Sequence, residues 1–599
     1  MILSAPLVKT ESITQPTNGQ LNGGKGPLPL VLGITGHRDL RPEDEEPLRE
    51  RVQQIFSELQ ESYRSTPLRV ISGLAEGADR LVAQVALANN VELLACLPMQ
   101  RSFYERDFET GESRREFDDL LKQTVDKIEL PLAEGNTEKN IATEEARKKQ
   151  YSALGQYLVD HCHILIALWD GKDSGLDGGA SWVVNLQLGK LQPPKLQRRG
   201  EADDEGLLDP PDAGPVYHIV TPRLTSIATV GRPYDRHELY HNDLEPPAAA
   251  KKHYARIFRR MDVFNEDFLA NSNDIEAGLT QSKDWLVPEA IRIELPDSLQ
   301  PLIEHYAQAD TLAIFYQKLT TRSMWLLFRV YAVLAVLVFV LFTELPVRSK
   351  PWALLCYLVI VAVAFWTYKS ANARELKVRY LDYRALAEGL RVQLFWKLAG
   401  VSENVAQHYL SKLKTELDWI RNAIRAWTAT LPTSRITPNL RIVQECWVND
   451  QLKFFRKASD RDFRHRKREW IWTKVPLIAV VVISVALLVI GFASLNDGSS
   501  EWLGRVYSAG TILMVILPAI GGAYLAYSAK MAFNEQWKQY VRMRQLYELA
   551  SNRLHQAIAE PNEKAVPKVI RALGREALEE NGDWVLLHRE REFEIRLGG

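Results

Sequence analysis

The sequence predicts an α/β domain built on a doubly wound parallel sheet. An all-α membrane region follows, with two transmembrane helical hairpins and long cytoplasmic helices. Three observations carry this expectation. Between Pro29 and Arg223, short apolar runs alternate with helical patterns of ten or more residues, as parallel strands covered on both faces require. Further on, four long apolar runs occur in two close pairs, and runs of roughly 18 apolar residues can cross a bilayer. Finally, each pair is followed by the same pattern of tyrosine, arginine, leucine and glutamate, the mark of a duplicated module.

In chain order, the strand "LPLVLGITG" precedes the helical "EPLRERVQQIFSELQESY", and "LRVISG" precedes "GADRLVAQVALANN". Next come the strand "VELLACLP", a charged helical stretch, "HILIALWDG", then "ASWVVNLQLGK" and the strand "PVYHIVTPR". This unit is expected over 28–225, interrupted by a Pro-, Gly- and charge-rich loop at 191–214. Residues 1–27 are polar, without the apolar core and cleavage site of a signal peptide, and read as a disordered leader. A helical connector is expected over 226–301, a first two-span module over 302–433 and a second over 434–599.

Composition narrows the function. The 599 residues hold 74 Lys+Arg against 75 Asp+Glu, a formal net charge of −1, so bulk nucleic-acid binding is not expected. Four cysteines without paired spacing speak against a disulfide framework or zinc site. His161-Cys162-His163 invites a metal reading, but neighbouring residues of a strand face opposite sides.

The spans are expected at 325–342, 352–368, 475–492 and 506–527, with Trp and Tyr near their ends as an interfacial belt requires. Arg461, Arg464, Arg466, Lys467, Arg468 and Lys474 flank the third span, and Lys318, Arg322, Lys369, Arg374, Lys377 and Arg379 flank the first pair. The hairpin loops carry only Arg348, Lys350 and Arg505. Basic residues stay cytoplasmic, so both hairpins should dip through the membrane with both chain termini inside.

After the second span stand Tyr380, Arg384, Leu386 and Glu388; after the fourth, at one constant offset, stand Tyr540, Arg544, Leu546 and Glu548. Leu376, Tyr380, Tyr383, Ala387, Leu390 and Leu394 form a coiled-coil-like seam, as do Tyr540, Met543, Tyr547, Ala550 and Leu554. Such seams suit a homo-oligomer or intrachain packing of the two copies equally. Arg384/Glu388 and Arg544/Glu548 are expected to be solvated i, i+4 pairs.

Three glycine-containing loops fall at strand ends, where parallel sheets bind ligands. The first is Thr35, Gly36, His37 and Arg38; Gly36 permits a sharp turn and Arg38 offers a fork of donors matched to phosphate. In the second, Ser72, Gly73, Leu74, Glu76, Gly77 and Asp79 open a helix, whose first amides favour an anion. Trp169, Asp170 and Gly171, followed by Gly178, Gly179 and Ser181, make the third. Together they predict a pocket for a phosphate-bearing ligand.

At these residues the chain resembles a known superfamily. "GITGHRD", "SGLAEGAD" and "WDG…GLDGGASWVV" are similar to the three loops of SLOG proteins, whose Rossmann-like domains include the LOG phosphoribohydrolases and DNA-processing protein A. The membrane half resembles the SMODS and SLOG-associating two-TM effector domain, SLATT. The residues that carry this second likeness are Trp447, Asn449, Asp450 and Gln451, the Tyr540–Glu548 helix and "ENGDWVLLHRERE". Together the resemblances imply a bacterial antiphage protein in the inner membrane. Its cytoplasmic domain would bind a nucleotide-derived signal as its ligand, with no other cofactor. Implied partners are the lipid bilayer, further copies of the chain, and a signal-producing synthase encoded nearby.

One departure separates the chain from the hydrolases it resembles. Their third loop reads PGGxGTxxE, with a catalytic glutamate, whereas Gly178-Gly179-Ala180-Ser181 runs into Trp182-Val183-Val184-Asn185. No catalytic residue is assigned here, and a sensor is the first expectation. A membrane-tethered nucleotide N-glycosidase, with Glu76 as a stand-in acid, and a scaffold with a vestigial pocket are the alternatives.

Overall fold

The computed structural model describes residues 24–173, 175, 177–191, 214–241, 247–343, 350–373, 375–409, 417–431, 438–494, 501–531, 533–559 and 565–590. Most of the leader and of the 191–214 loop lie outside these. The last residues of the leader are placed, however: the Gly26 amide donates to Ser65 O at 2.8 Å, and Trp427 Nε1 donates to Pro27 O at 3.1 Å.

Seven strands form one sheet: β1 Leu30–Gly36, β2 Leu68–Ser72, β3 Glu92–Leu97, β4 Asp126–Glu129, β5 Ile164–Trp169, β6 Val216–Val220 and β7 Arg236–Leu239. Their spatial order is β4-β3-β2-β1-β5-β6-β7. The strands β1 to β6 pair in parallel and β7 closes the sheet antiparallel to β6. The chain winds outward from β1 to β4, then returns to the other side of β1 with β5. That reversal is the topological switch point of a doubly wound sheet.

Two strands escape the sequence pattern. The edge strand β4, "DKIE", buries only Ile128 well, and charged edge strands protect a sheet from pairing with others. At the opposite edge β7 is polar and half-buried, so the sheet runs past the expected boundary at 225 into the connector. Leaving aside single turns, the helices of this layer are α1 Glu45–Ser62, α2 Ala78–Ala88, α3 Gly111–Lys122, α4 Glu144–His161 and α5 Ala180–Gln187. The inner strands are largely apolar and mostly buried, with Leu32, Val70, Leu94 and Ile166 at 0 % exposure. Helices on both faces make that necessary.

The helical body comprises α6 Pro247–Ala270, α7 Ser272–Leu286, α8 Gln300–Thr343, α9 Lys350–Ala373, α10 Leu376–Leu398 and α11 Asp418–Thr428. It continues with α12 Asn449–Ser494, α13 Glu501–Met531, α14 Phe533–Ala559 and α15 Ala565–Glu590. At its centre lies α10, buried along nearly its whole length, amid the fully enclosed indoles of Trp396, Trp419, Trp427 and Trp447.

The two repeats pack on one another within the chain. Phe395 stacks on Trp447 with ring centres 5.4 Å apart, and Tyr380 meets Trp584 edge-on at 6.0 Å. Tyr409 donates to Asn581 Oδ1 at 2.5 Å, and Arg589 pairs with Asp382. Both seams are filled by the chain's own side chains: Tyr383 by Tyr316, Phe264 and Trp419, and Tyr547 by Phe455 and Trp447.

The expected Arg384/Glu388 pair does not form. Arg384 Nη1 instead bonds buried Asp310 Oδ1 at 2.7 Å, and Glu388 pairs with Arg391. Spacing puts 384 and 388 on one helical face, but α8 covers that face and supplies a better-placed carboxylate. Arg544 and Glu548 do meet, at 3.3 Å, with Arg456 sharing the same glutamate at 2.8 Å.

Two helical segments among the described residues are long and apolar enough to cross a membrane: Trp470–Phe492 in α12, mean hydropathy 3.0, and Gly504–Gly522 in α13, mean hydropathy 1.4. These are the second expected pair. Within the first pair, α9 carries a shorter apolar stretch, Leu354–Val363. The 344–349 loop and most side chains of 324–342 lie outside those described. Apolar side chains of α9 and α12 point outward, among them Leu355, Val359, Phe365, Leu477, Val481 and Leu488.

Candidate functional site

The carboxyl ends of β1 and β5 flank the switch point, and the first and third loops emerge there. At the end of β1, Gly36 permits a tight fit: a methyl group there would lie 2.5 Å from Ala78 Cβ and 2.6 Å from Leu168 O. The start of α2 and the end of β5 therefore close on the same turn. Thr35 is buried in the strand beneath it, 7 % exposed.

His37 ties the first loop to the third. Its Nε2 accepts the Asp170 amide at 2.9 Å, and its backbone amide donates to Leu168 O at 3.0 Å. An imidazole that accepts at Nε2 is the neutral tautomer with its proton on Nδ1. Burial lowers the His37 pKa, against the raising pull of Asp170, so the neutral form fits. The second loop lies against the first: Ala78 N donates to His37 O at 3.0 Å. At Gly77, φ is +77°, and a methyl group would sit 2.5 Å from the carbonyl oxygens of both His37 and Arg38.

Arg38 projects into solvent over this junction. Its guanidinium lies 4.7 Å from the centre of the Tyr151 ring and makes no ion pair among the described residues. The second half of the third loop reaches the same place from α4: Gly178, φ +79°, abuts Ser152, the neighbour of Tyr151. Gly179 then precedes α5 without a side-chain cap. The first amides of an uncapped helix have no partners inside the helix and suit an anion.

Other expected ligand groups are committed to the loops themselves. Ser72 is fully buried; its Oγ accepts the Leu74 amide at 3.0 Å and donates to Asp79 O at 3.4 Å. Leu74 has φ +54°, and its buried side chain leaves only backbone for a ligand. Its carbonyl takes Arg80 Nε at 3.2 Å. Glu76 accepts from the Ser113 hydroxyl on α3. Ser181 is buried, 2 % exposed. In the third loop Trp169 Nε1 donates to Lys172 O at 2.9 Å, Asp170 Oδ1 accepts the Lys172 amide at 3.0 Å, and Gly171, φ +83°, fits under Val230. Gly73 sits beneath the Asp79 carboxylate, with Tyr104 donating to its carbonyl at 3.0 Å.

Three further residues contribute: Tyr151 and Arg80, which the loop patterns do not include, and Asp39, the last residue of the first loop. Tyr151 supplies the platform under Arg38. Asp39 straps the loop after β6 across the site: Arg223 Nε bonds it at 3.1 Å and Thr225 Oγ1 at 2.6 Å. Burial raises the Asp39 pKa, but those two donors outweigh it and the net shift is downward. Arg80, 3 % exposed, bonds Ser113 Oγ at 2.9 Å and Glu116 at 2.7 Å, while its Nη2 finds no partner among the described residues. Only the glycines announced the region in the sequence; an isolated tyrosine on a helix carries no such signal.

Asp79 is a carboxyl strongly altered by this packing. Burial pushes its carboxyl up to about 6, against the lowering effect of the Ala75 amide, Arg38 and the Gly73 amide. A folded-state pKa above the ordinary 3.8 means the folded chain holds the extra proton. Stability should therefore fall as pH rises from about 4 to about 6, and Asp79→Asn should remove that slope. Melting temperatures of both proteins across this window check it; parallel curves would refute the assignment.

Fold and site define the class: an α/β protein with a Rossmann-like sheet, glycine-bearing loops gathered at its switch point, and an attached helical body with two helices long and apolar enough to cross a membrane. Beyond that class nothing narrows it further, since no protein-family model, curated protein or solved structure matches the chain.

Proposed function

We propose that the chain is a ligand-gated membrane effector, in which the loop cluster around Arg38 binds a nucleotide-derived anion and the helical hairpins respond. The observation that carries this reading is the convergence of all three glycine loops around the solvent-facing, ion-pair-free Arg38. Phosphate supplies the charge that Arg38 lacks, and a base or sugar can lie along Tyr151. The resemblance to SLOG and SLATT proteins adds the setting: a bacterial antiphage system, an inner-membrane location with four spans and cytoplasmic termini, and assembly into homo-oligomers.

A mechanical route is available. Helix α4 carries Tyr151 at the site and Tyr157 some two turns on, whose hydroxyl donates to Ala429 O, 2.5 Å away, just beyond α11. His163 accepts the Val31 amide at Nδ1 and meets Asn422 O at 2.9 Å through Nε2. The site and the helical body thus share a rigid element at opposite ends. Gating requires the ligand to bind one arrangement of α4 and α11 better than the other.

Proteoliposomes loaded with dye test the proposal. Nucleotides and cyclic dinucleotides should trigger leakage by the wild type. Arg38→Ala should weaken their binding roughly 10- to 100-fold, the loss expected for a charge-assisted hydrogen bond of about 1.5–3 kcal/mol. Tyr157→Phe should keep the binding and lose the leakage. If no nucleotide binds, or if binding never alters leakage or oligomeric state, the reading fails.

One observation favours a second reading, hydrolysis of a nucleotide N-glycosidic bond. Asp79, with its carboxyl near 6, is poised for proton transfer close to neutral pH. Release of free base from nucleoside monophosphates, abolished in Asp79→Asn, would establish it.

A further inference from the structure

The stretch of α12 before its apolar segment does more than orient the hairpin. Between 461 and 474 it carries Arg461, Arg464, Arg466, Lys467, Arg468 and Lys474 against only Asp462 and Glu469. The helix is continuous through this run and into the apolar segment. Arg461 is held by Asp462, with Nε 2.9 Å from Oδ1. Arg464, Arg468 and Lys474 are exposed and enter no ion pair among the described residues. Three aromatic side chains in the same stretch are about half exposed: Phe463 at 54 %, Trp470 at 54 % and Trp472 at 50 %.

Helical geometry orders these groups by depth. Arg464, Arg468 and Trp472 are spaced i, i+4, i+8 and so share a face, each about 6 Å further along the axis. A headgroup layer is itself roughly 5–7 Å deep per leaflet. With Trp470 and Trp472 at the hydrocarbon boundary, Arg468 stands at the level of lipid phosphates and Arg464 just outside it. Lys474, beyond Trp472, can extend its amine back to the same level.

We infer that this stretch of α12 is a binding site for anionic phospholipid headgroups, recognised as phosphodiesters by Arg464 and Arg468, with Lys474 reaching the same headgroup layer from the neighbouring face of the helix. Guanidinium forks match phosphate oxygens two at a time, and basic clusters directly cytoplasmic of a span select acidic lipids. The site rests on the proposed membrane insertion of α12.

Tryptophan quenching by brominated lipids tests this on the full chain in vesicles. Brominated phosphatidylglycerol, diluted into phosphatidylcholine, should quench more than brominated phosphatidylcholine at the same fraction. The local enrichment should be on the order of fivefold for each engaged basic residue. The triple variant Arg464→Gln, Arg468→Gln, Lys474→Gln should quench equally with either lipid, while the control Arg441→Gln, Arg542→Gln, far from the span, keeps the preference. Equal quenching in the wild type, or a preference that survives in the triple variant, overturns the lipid site alone. Absence of quenching by either lipid overturns membrane insertion and the lipid site with it.

Discussion

Valine at position 77 is expected to abolish ligand binding and to destabilise the sheet domain by several kcal/mol. Gly77 adopts φ +77° and ψ −120°, a region open essentially to glycine, and holding another residue there costs about 1–3 kcal/mol. The first added carbon would also stand 2.5 Å from His37 O and Arg38 O and 2.8 Å from Arg38 C. These are backbone atoms, so no rotamer change relieves the overlap. The second loop must withdraw from the first, taking the His37–Ala78 hydrogen bond and the placement of Arg38 with it. Nucleotide calorimetry and thermal unfolding of the variant measure both losses. Binding retained at wild-type strength would show that the two loops do not work as one site.

Trp396→Ala should produce the largest loss in the helical body. The indole is fully buried, donates from Nε1 to Ile570 O at 3.2 Å, and packs so tightly on α15 that a methyl at Gly574 would lie 2.1 Å from Nε1. Large-to-small substitutions of this kind cost about 3–5 kcal/mol, because the surroundings cannot fill the hole. Loss of the hydrogen bond to Ile570 O costs about 0.5–1.5 kcal/mol more. The expected result is a sharp fall in the unfolding midpoint of the detergent-solubilised protein. Gly574→Ala should fall in the same direction by a smaller step, since Trp396 must shift to admit it. A Trp396→Ala protein that melts like the wild type would mean that α10 and α15 are not held together at this point.

Much of the sheet was legible because inner strands such as "LPLVLGITG" and "HILIALWDG" must be apolar on both faces. The polar edge strands β4 and β7 lacked that signal. The glycine turns were legible for a related reason: positive φ and close approach leave few alternatives to glycine at 77, 171 and 178. Which hydroxyls and carboxylates a ligand could reach was not. Ser72 and Glu76 look available in the sequence but are consumed by Leu74 and Ser113, partners fixed only by the folded loops. The Arg384–Asp310 pair likewise joins residues on different helices, and helical spacing cannot report a partner from another element. Tyr151 owes its role entirely to where α4 passes.

The 46 residues of α12 run from Asn449, next to the packed Trp447, to the far end of the apolar segment without interruption, a rod of about 69 Å. Such a strut behaves as a lever: a tilt of a few degrees where it is gripped sweeps its distal tip through several ångströms. Pro476 lies a few residues beyond Trp472 and deprives the helix of one backbone bond there. The beam is therefore weakest at the start of its apolar segment, so a push from its base would be spent on bending there.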